Sequence, residues 1–309
     1  MISVNQLTKR YDKLVALDQF SFDVKPGEIV GLLGPNGSGK TTAINCMLSL
    51  LTYDKGEIKI MGEDMTPTSY ALKAQIGVVP QELALMPNLT VRENIDFFCG
   101  LYVKDRTRRR QLVDEAIDFV ELRDHVKFQP AKLSGGLKRR LNIACGIAHK
   151  PRLIFLDEPT VAVDAQSRNF ILEGIKKMRE AGRTVVYTTH YLDEAEMLCD
   201  RIVIIDKGKS VATGTVDELQ DMISSGEKIT AEFPQITQEQ LNRLSEMPNL
   251  ISLDQVGNET VMVFRKHTHP LQELMHFIES ESLAYNRIYA LKPTLNEVFL
   301  ALTGKELRD

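Results

Sequence analysis

The chain has 309 residues, 43% of them hydrophobic and 26% charged, with a net charge of −4 and a pI near 5.9. That length predicts a large α/β core with a smaller second domain, and the charge balance speaks against any general affinity for nucleic acid. No uninterrupted apolar run approaches the roughly 18 residues of a membrane span and the N-terminus carries no apolar secretion signal, so a cytoplasmic protein is expected.

The opening "MISVNQLTKRY" alternates like a strand and ends on Tyr11. Next, "EIVGLL" reads as a buried strand running into "GPNGSGKTT", which fits G-x-x-x-x-G-K-[ST]. Here Gly34, Pro35, Asn36, Gly37, Ser38 and Gly39 form the loop, and Lys40, Thr41 and Thr42 open a helix. Glycines let successive N–H groups turn inward at a helix N-terminus, where partial positive charge favours phosphate. Lys40 is placed to reach the β and γ phosphates and Thr41 to ligate Mg²⁺. Kinases, GTPases, helicases and transporter motors share this loop, so it predicts phosphate binding and leaves the reaction open.

After "VVPQE", which carries Gln81, "LTVRENIDFFCGLY" reads as an amphipathic helix opening a helical insertion at about 82–150. The basic run "KDRTRRR" reads as a solvated helix start, with a contact to lipid or nucleic acid as the alternative. In "LSGGLKRRLNIA", Ser134, Gly135 and Gly136 precede another helix and suggest a second anion-binding helix start. One nucleotide cannot easily occupy both sites within one subunit; two copies of the chain could resolve this. "RLIFLDEPT" is a buried strand delivering Asp157 and Glu158. Such a pair suits a metal-holding carboxylate followed by a general base, although it is also an ordinary polar strand end. Cys46, Cys99, Cys145 and Cys199 show no C-x-x-C spacing and read as packing residues.

The order "GPNGSGKTT", "VVPQE", "LSGGLKRRLNIA", "LIFLDEPT", "VAVD" and "TTH" resembles the ATP-binding-cassette family as far as about Gly214. The resemblance implies a P-loop NTPase core with an antiparallel β subdomain and a helical subdomain, in a domain of about 1–224. It also implies a head-to-tail dimer, a homodimer or a heterodimer with a second ATPase, with each ATP between one phosphate loop and the partner's "LSGG". Carried over residue by residue, Tyr11 would stack on adenine, Asp157 would hold Mg²⁺ and Glu158 would activate water. Gln81 would touch Mg²⁺ and that water and sense a membrane partner, Asp164 would cross the dimer contact, and His190 would hold the γ-phosphate. Leu137 and Ala162 depart from the family's usual polar residue and glycine.

Within the family, "LTVRENIDFFCGLY" and "LSGGLKRRL" look most like ATPases of the ABC-2 exporter group, nearest the drug-resistance ATPases such as those acting against linearmycin. That implies a subunit peripheral on the inner face of a bacterial membrane, energising efflux of an antibiotic or other hydrophobic compound through an integral membrane permease. An importer, a lipid, polysaccharide or ion exporter, and a soluble regulatory ATPase share these motifs and stay open as alternatives. Residues 225–309 read as βαββαβ, a small ferredoxin-like α+β accessory domain. Its terminal helix would expose Phe299 and Leu302, and its histidines His267, His269 and His276 read as surface residues.

Overall fold

The computed structural model describes residues 1–223, 226–265, 269–290 and 292–304. The chain divides into two compact units, one of residues 1–216 joined by 302–304 and the other Asp217–Ala301. In the first, β1 (Ile2–Tyr11) and β2 (Leu14–Val24) precede β3 (Ile29–Leu33) and α1 (Lys40–Met47). Then come β4 (Lys55–Ile60), β5 (Glu63–Asp64), α2 (Tyr70–Lys73), β6 (Ile76–Val79), α3 (Val91–Gly100) and α4 (Arg106–Phe119). Continuing, α5 (Gly135–Ile147), β7 (Leu153–Asp157), α6 (Ala165–Glu180), β8 (Thr184–Thr189), α7 (Leu192–Leu198), β9 (Arg201–Asp206) and β10 (Lys209–Gly214) complete it.

Two sheets result. β2-β1-β4-β5 is antiparallel, and β10-β9-β3-β8-β7-β6 is parallel except for the β9–β10 pair. Every residue of β3, β7 and β8 is buried, which explains the apolar runs of β3 and β7: a central parallel strand has no solvent face on which polar residues could alternate. β8 lies between β3 and β7, with Leu33 opposite Thr189 and Asp157 opposite Thr188. The phosphate loop, the strand-end carboxylates and His190 therefore leave the sheet at one carboxyl edge, where open α/β sheets bind ligands. Val79 pairs with Leu156, so Gln81 emerges at the same edge.

Helices α3, α4 and α5 bury a core of their own that includes Ile95, Cys99, Ile117 and Leu141. Thr90 closes the start of α3 with a capping box to Glu93, and Asp105 caps α4 through the Arg108 N–H. The basic run opens α4 and is mostly exposed. Cys46, Cys99 and Cys145 are buried and Cys199 is partly buried, all as free thiols. Burial pushes the Cys46 and Cys99 thiols up to about 11, consistent with inert packing residues.

The second unit contains β11 (Glu227–Glu232), α9 (Gln238–Ser245), β12 (Leu250–Val256), β13 (Glu259–Phe264), α10 (Pro270–Ser280) and β14 (Arg287–Ala290). It lies between α8 (Val216–Ile223), which begins at its boundary, and α11 (Leu295–Thr303). The sheet order β12-β13-β11-β14, antiparallel throughout, is the split βαββαβ arrangement. Ile229, Phe233, Leu244, Met262, Phe264 and Leu274 are among its buried core. Phe299, expected at the surface from its place in a terminal helix, is instead 1% exposed, on the same side of α11 as buried Leu295 and Val298. Leu295, Val298 and Phe299, at i, i+3 and i+4, make an apolar stripe that must be covered. Leu302 is partly buried. His269 and His276 are exposed, and His267 lies outside the described residues.

Candidate functional site

The loop after β3 is shaped by contacts only glycine tolerates. A Cβ on Gly34 would stand 2.2 Å from the Ile205 carbonyl oxygen, and Gly39, at φ 109°, would meet the Ala16 carbonyl at 2.8 Å. Lys40 folds back over this loop, donating to the carbonyls of Gly34 (2.7 Å) and Pro35 (3.2 Å). The Ser38 hydroxyl is buried within the loop with no hydrogen-bond partner. An orphaned donor and a curled backbone at the head of α1 suit an incoming phosphate oxygen.

At the end of β7, Asp157 accepts from the Thr41 hydroxyl (2.9 Å) on one oxygen and from the Thr188 hydroxyl (2.6 Å) on the other. A carboxylate and a hydroxyl side by side form the oxygen donor set that Mg²⁺ takes alongside substrate phosphates. Thr188 also accepts from the Glu158 N–H at 2.9 Å, fixing the turn that places Glu158 in a left-handed backbone, φ 44°. Such a conformation costs a non-glycine residue on the order of 1–3 kcal/mol and aims the carboxylate back at the phosphate loop.

Three side chains converge on Glu158. Lys40 Nζ is 3.0 Å from Oε1, both side chains 5% exposed; Gln81 Nε2 donates to Oε2 at 3.1 Å; His190 Nδ1 lies 3.4 Å from Oε1, without hydrogen-bond alignment. A cleft of about 580 Å³ opens over this cluster, lined among others by Tyr11, Asn36, Gly37, Thr42 and Lys207. Tyr11 stands at its mouth, 42% exposed, with Lys9 Nζ 5.0 Å from the ring centroid.

Ser134, Gly135, Gly136 and Asp164 do not line that cleft. Ser134 caps α5 through the Leu137 N–H, and a Cβ on Gly136 would stand 2.0 Å from the Ser167 hydroxyl and 3.2 Å from Asp164 Oδ2. Asp164 caps α6, accepting from the Ser167 N–H (2.8 Å) and hydroxyl (2.9 Å), and these bonds hold its carboxyl below the usual range. The two glycine-bearing helix starts therefore present separate surfaces of one chain. Ala162 has φ 59°, which explains why glycine is the family's usual choice there.

Residues 17–161 match the family described as ABC transporter. Over its full length the chain is 35% identical to the linearmycin resistance ATP-binding protein LnrL of Bacillus subtilis, covering 100% of both chains. This chain belongs to the ABC transporter family. It is also 33% identical to the Nod factor export ATP-binding protein I of Burkholderia thailandensis, covering 98% of that protein. Among solved structures, a dimeric ATP-binding cassette in a post-hydrolysis state bound to ADP and Pi aligns with TM-score 0.64 and 30% identity, over 70% of this chain and 98% of that one. The ATP-binding subunit of an ABC transporter aligns with TM-score 0.66 and 27% identity, over 72% of this chain and 92% of that one. This ABC chain is an ATP-binding, ATP-hydrolysing subunit.

In the ABC chain the sequence motifs omit a buried network behind His190. Glu194, fully buried, accepts from Tyr187 (2.6 Å), Thr189 (2.8 Å) and Arg168 Nε (2.7 Å). Thr189 in turn accepts from the Tyr191 N–H at 3.0 Å. The network ties α6 to the turn that carries His190. Its only local signal is an acidic residue on the buried face of α7. Thr188, two places before His190 in β8, carries no such signal.

Proposed function

We propose that the chain is the cytoplasmic motor of an exporter, dimerising around MgATP and moving a separate membrane permease. The observation that carries this reading is the full-length match to LnrL, which extends beyond the cassette through the second unit. Efflux of an antibiotic or other hydrophobic compound is the proposed work, and Nod-factor-like cargo is the neighbouring possibility that the second relative's name suggests.

In the proposed mechanism Tyr11 stacks on the adenine and the loop N–H groups receive the phosphates. Lys40 exchanges its bonds to Gly34, Pro35 and Glu158 for phosphate oxygens, which releases Glu158 as a base. Mg²⁺, held through Thr41 and Asp157 with Gln81 beside it, would supply positive charge to those oxygens. Water attacks the γ-phosphorus, the bond to the ADP oxygen breaks, and Glu158 takes the water's proton while Gln81 orients that water. His190 donates to the γ-phosphate. Ser134, Gly135 and Gly136 of the partner copy close the site, and Asp164 crosses the contact.

A groove of about 280 Å³ beside Gln81, lined by Ile76, Val78, Phe98, Leu101, Tyr102 and His149 among others, is the proposed seat of a permease helix. The test is sedimentation with membranes in high salt, with and without a candidate membrane permease. Partner-dependent, salt-resistant association with raised ATP turnover is expected. No association in the partner's presence would favour a self-sufficient ATPase.

A further inference from the structure

The basic run is not accounted for by nucleotide chemistry. Between the first turns of α3 and α4 lies a cleft of about 350 Å³ lined by Arg92, Glu93, Asp96, Arg106, Arg109, Arg110 and Val113. Its acids are already engaged: Glu93 accepts the Thr90 N–H and hydroxyl, both at 2.8 Å, and Asp96 pairs with Arg109 at 2.9 Å. Arg92 is held by Asp114 at 2.7 Å. Arg106 and Arg110, one helical turn apart and exposed, have no carboxylate partner among the described residues. α4 has no acidic residue in its first turn, where the helix dipole disfavours cations. Of the four guanidiniums lining the cleft two are ion-paired, and Arg106 and Arg110 add positive charge beside carboxylates that are already committed, on a chain of net charge −4.

We propose that this cleft binds the phosphate of an anionic phospholipid headgroup. Guanidinium forks match phosphate oxygens in pairs. The membrane is the source because the site is amphipathic. Phe97, 44% exposed, stands one helical turn beyond Glu93, which lines the cleft, on the side of α3 that meets Arg109 through Asp96. Exposed apolar side chains beside a basic cluster sit at the headgroup boundary, where each arginine gains from the negative surface potential.

The test uses the full chain without any membrane partner, floated with vesicles of phosphatidylcholine alone or mixed with phosphatidylglycerol. Binding only to the mixed vesicles is expected, lost when salt is raised from about 0.1 M to 1 M and the screening length falls from about 10 Å to 3 Å. Arg106→Gln with Arg110→Gln should weaken it about 30-fold, at about tenfold per 1.4 kcal/mol. ATP binding, checked in parallel, should stay intact. Lys55→Gln with Lys59→Gln removes equal charge from the exposed face of β4 and should leave flotation unchanged. Equal loss in both pairs, or no flotation of the folded wild type, overturns the proposal. Inorganic phosphate that saturates the cleft without any vesicle binding would overturn the lipid source.

Discussion

Gln81 Nε2 donates to Glu158 Oε2 at 3.1 Å, joining the segment that leads into the helical insertion to the carboxylate at the end of β7. Arg139 anchors the same segment, donating from Nη1 to the carbonyls of Pro80 (3.2 Å) and Gln81 (2.8 Å). These bonds tie α5 to the residue that touches the proposed base. Gln81→Ala should lower turnover about tenfold, the lower range for one lost orienting contact, while ATP affinity is kept. Turnover and stimulation by the membrane partner, measured together, should fall together. Unchanged turnover would separate Gln81 from the chemistry.

The separation of Ser134 from the phosphate cleft within one chain predicts a composite site. Ser134→Arg and Lys40→Ala should each abolish ATP-driven dimerisation, measured by light scattering. Mixed, the two chains form a heterodimer with both lesions in one site and the other site whole, so pairing should partly return. Normal pairing of both single variants would contradict the arrangement.

Behind His190, Glu194→Ala removes the carboxylate to which the Tyr187 and Thr189 hydroxyls donate and leaves Arg168 with Asp193 as its remaining partner, at 2.8 Å. The expected loss is about 2–4 kcal/mol, less than for a fully buried ion pair because Arg168 is partly exposed. Urea unfolding should show Glu194→Gln losing less than Glu194→Ala. A loss in Glu194→Ala within about 0.5 kcal/mol of zero, the range of surface changes, would mean the network does not stabilise the fold.

The phosphate loop, the strand-end carboxylates and the βαββαβ order were legible because each is written in consecutive residues with one backbone requirement. The Glu194 network was not, because Arg168 and Glu194 meet only after α6 and β8 have packed. The burial of Phe299 was misread for the opposite reason: position near a chain end says little when a helix carries Leu295, Val298 and Phe299 on one side. The arginine cleft also needed the structure, since sequence cannot tell which of several arginines are already paired.

Acid should loosen the groove beside Gln81. His149 stacks on Tyr102 with ring centroids 4.2 Å apart and its Nε2 is 3.1 Å from the Ile76 carbonyl, and burial holds it below the ordinary 6.5. The unfolded chain then binds the proton more readily. The stability that neutral His149 contributes is complete above 6.5 and is lost as pH falls from there toward the depressed folded value. His149→Gln should flatten that part of the stability curve, read as melting temperature against pH. An unchanged slope would show that His149 does not contribute to it.

Glu158 is proposed to take the proton from water, and Glu158→Gln keeps its shape while removing the base. Single-turnover hydrolysis and ATP binding should be measured on the same variant. Turnover is predicted to fall about 10²–10⁴-fold while ATP still binds and holds the dimer closed. Hydrolysis near the wild-type rate would contradict the account.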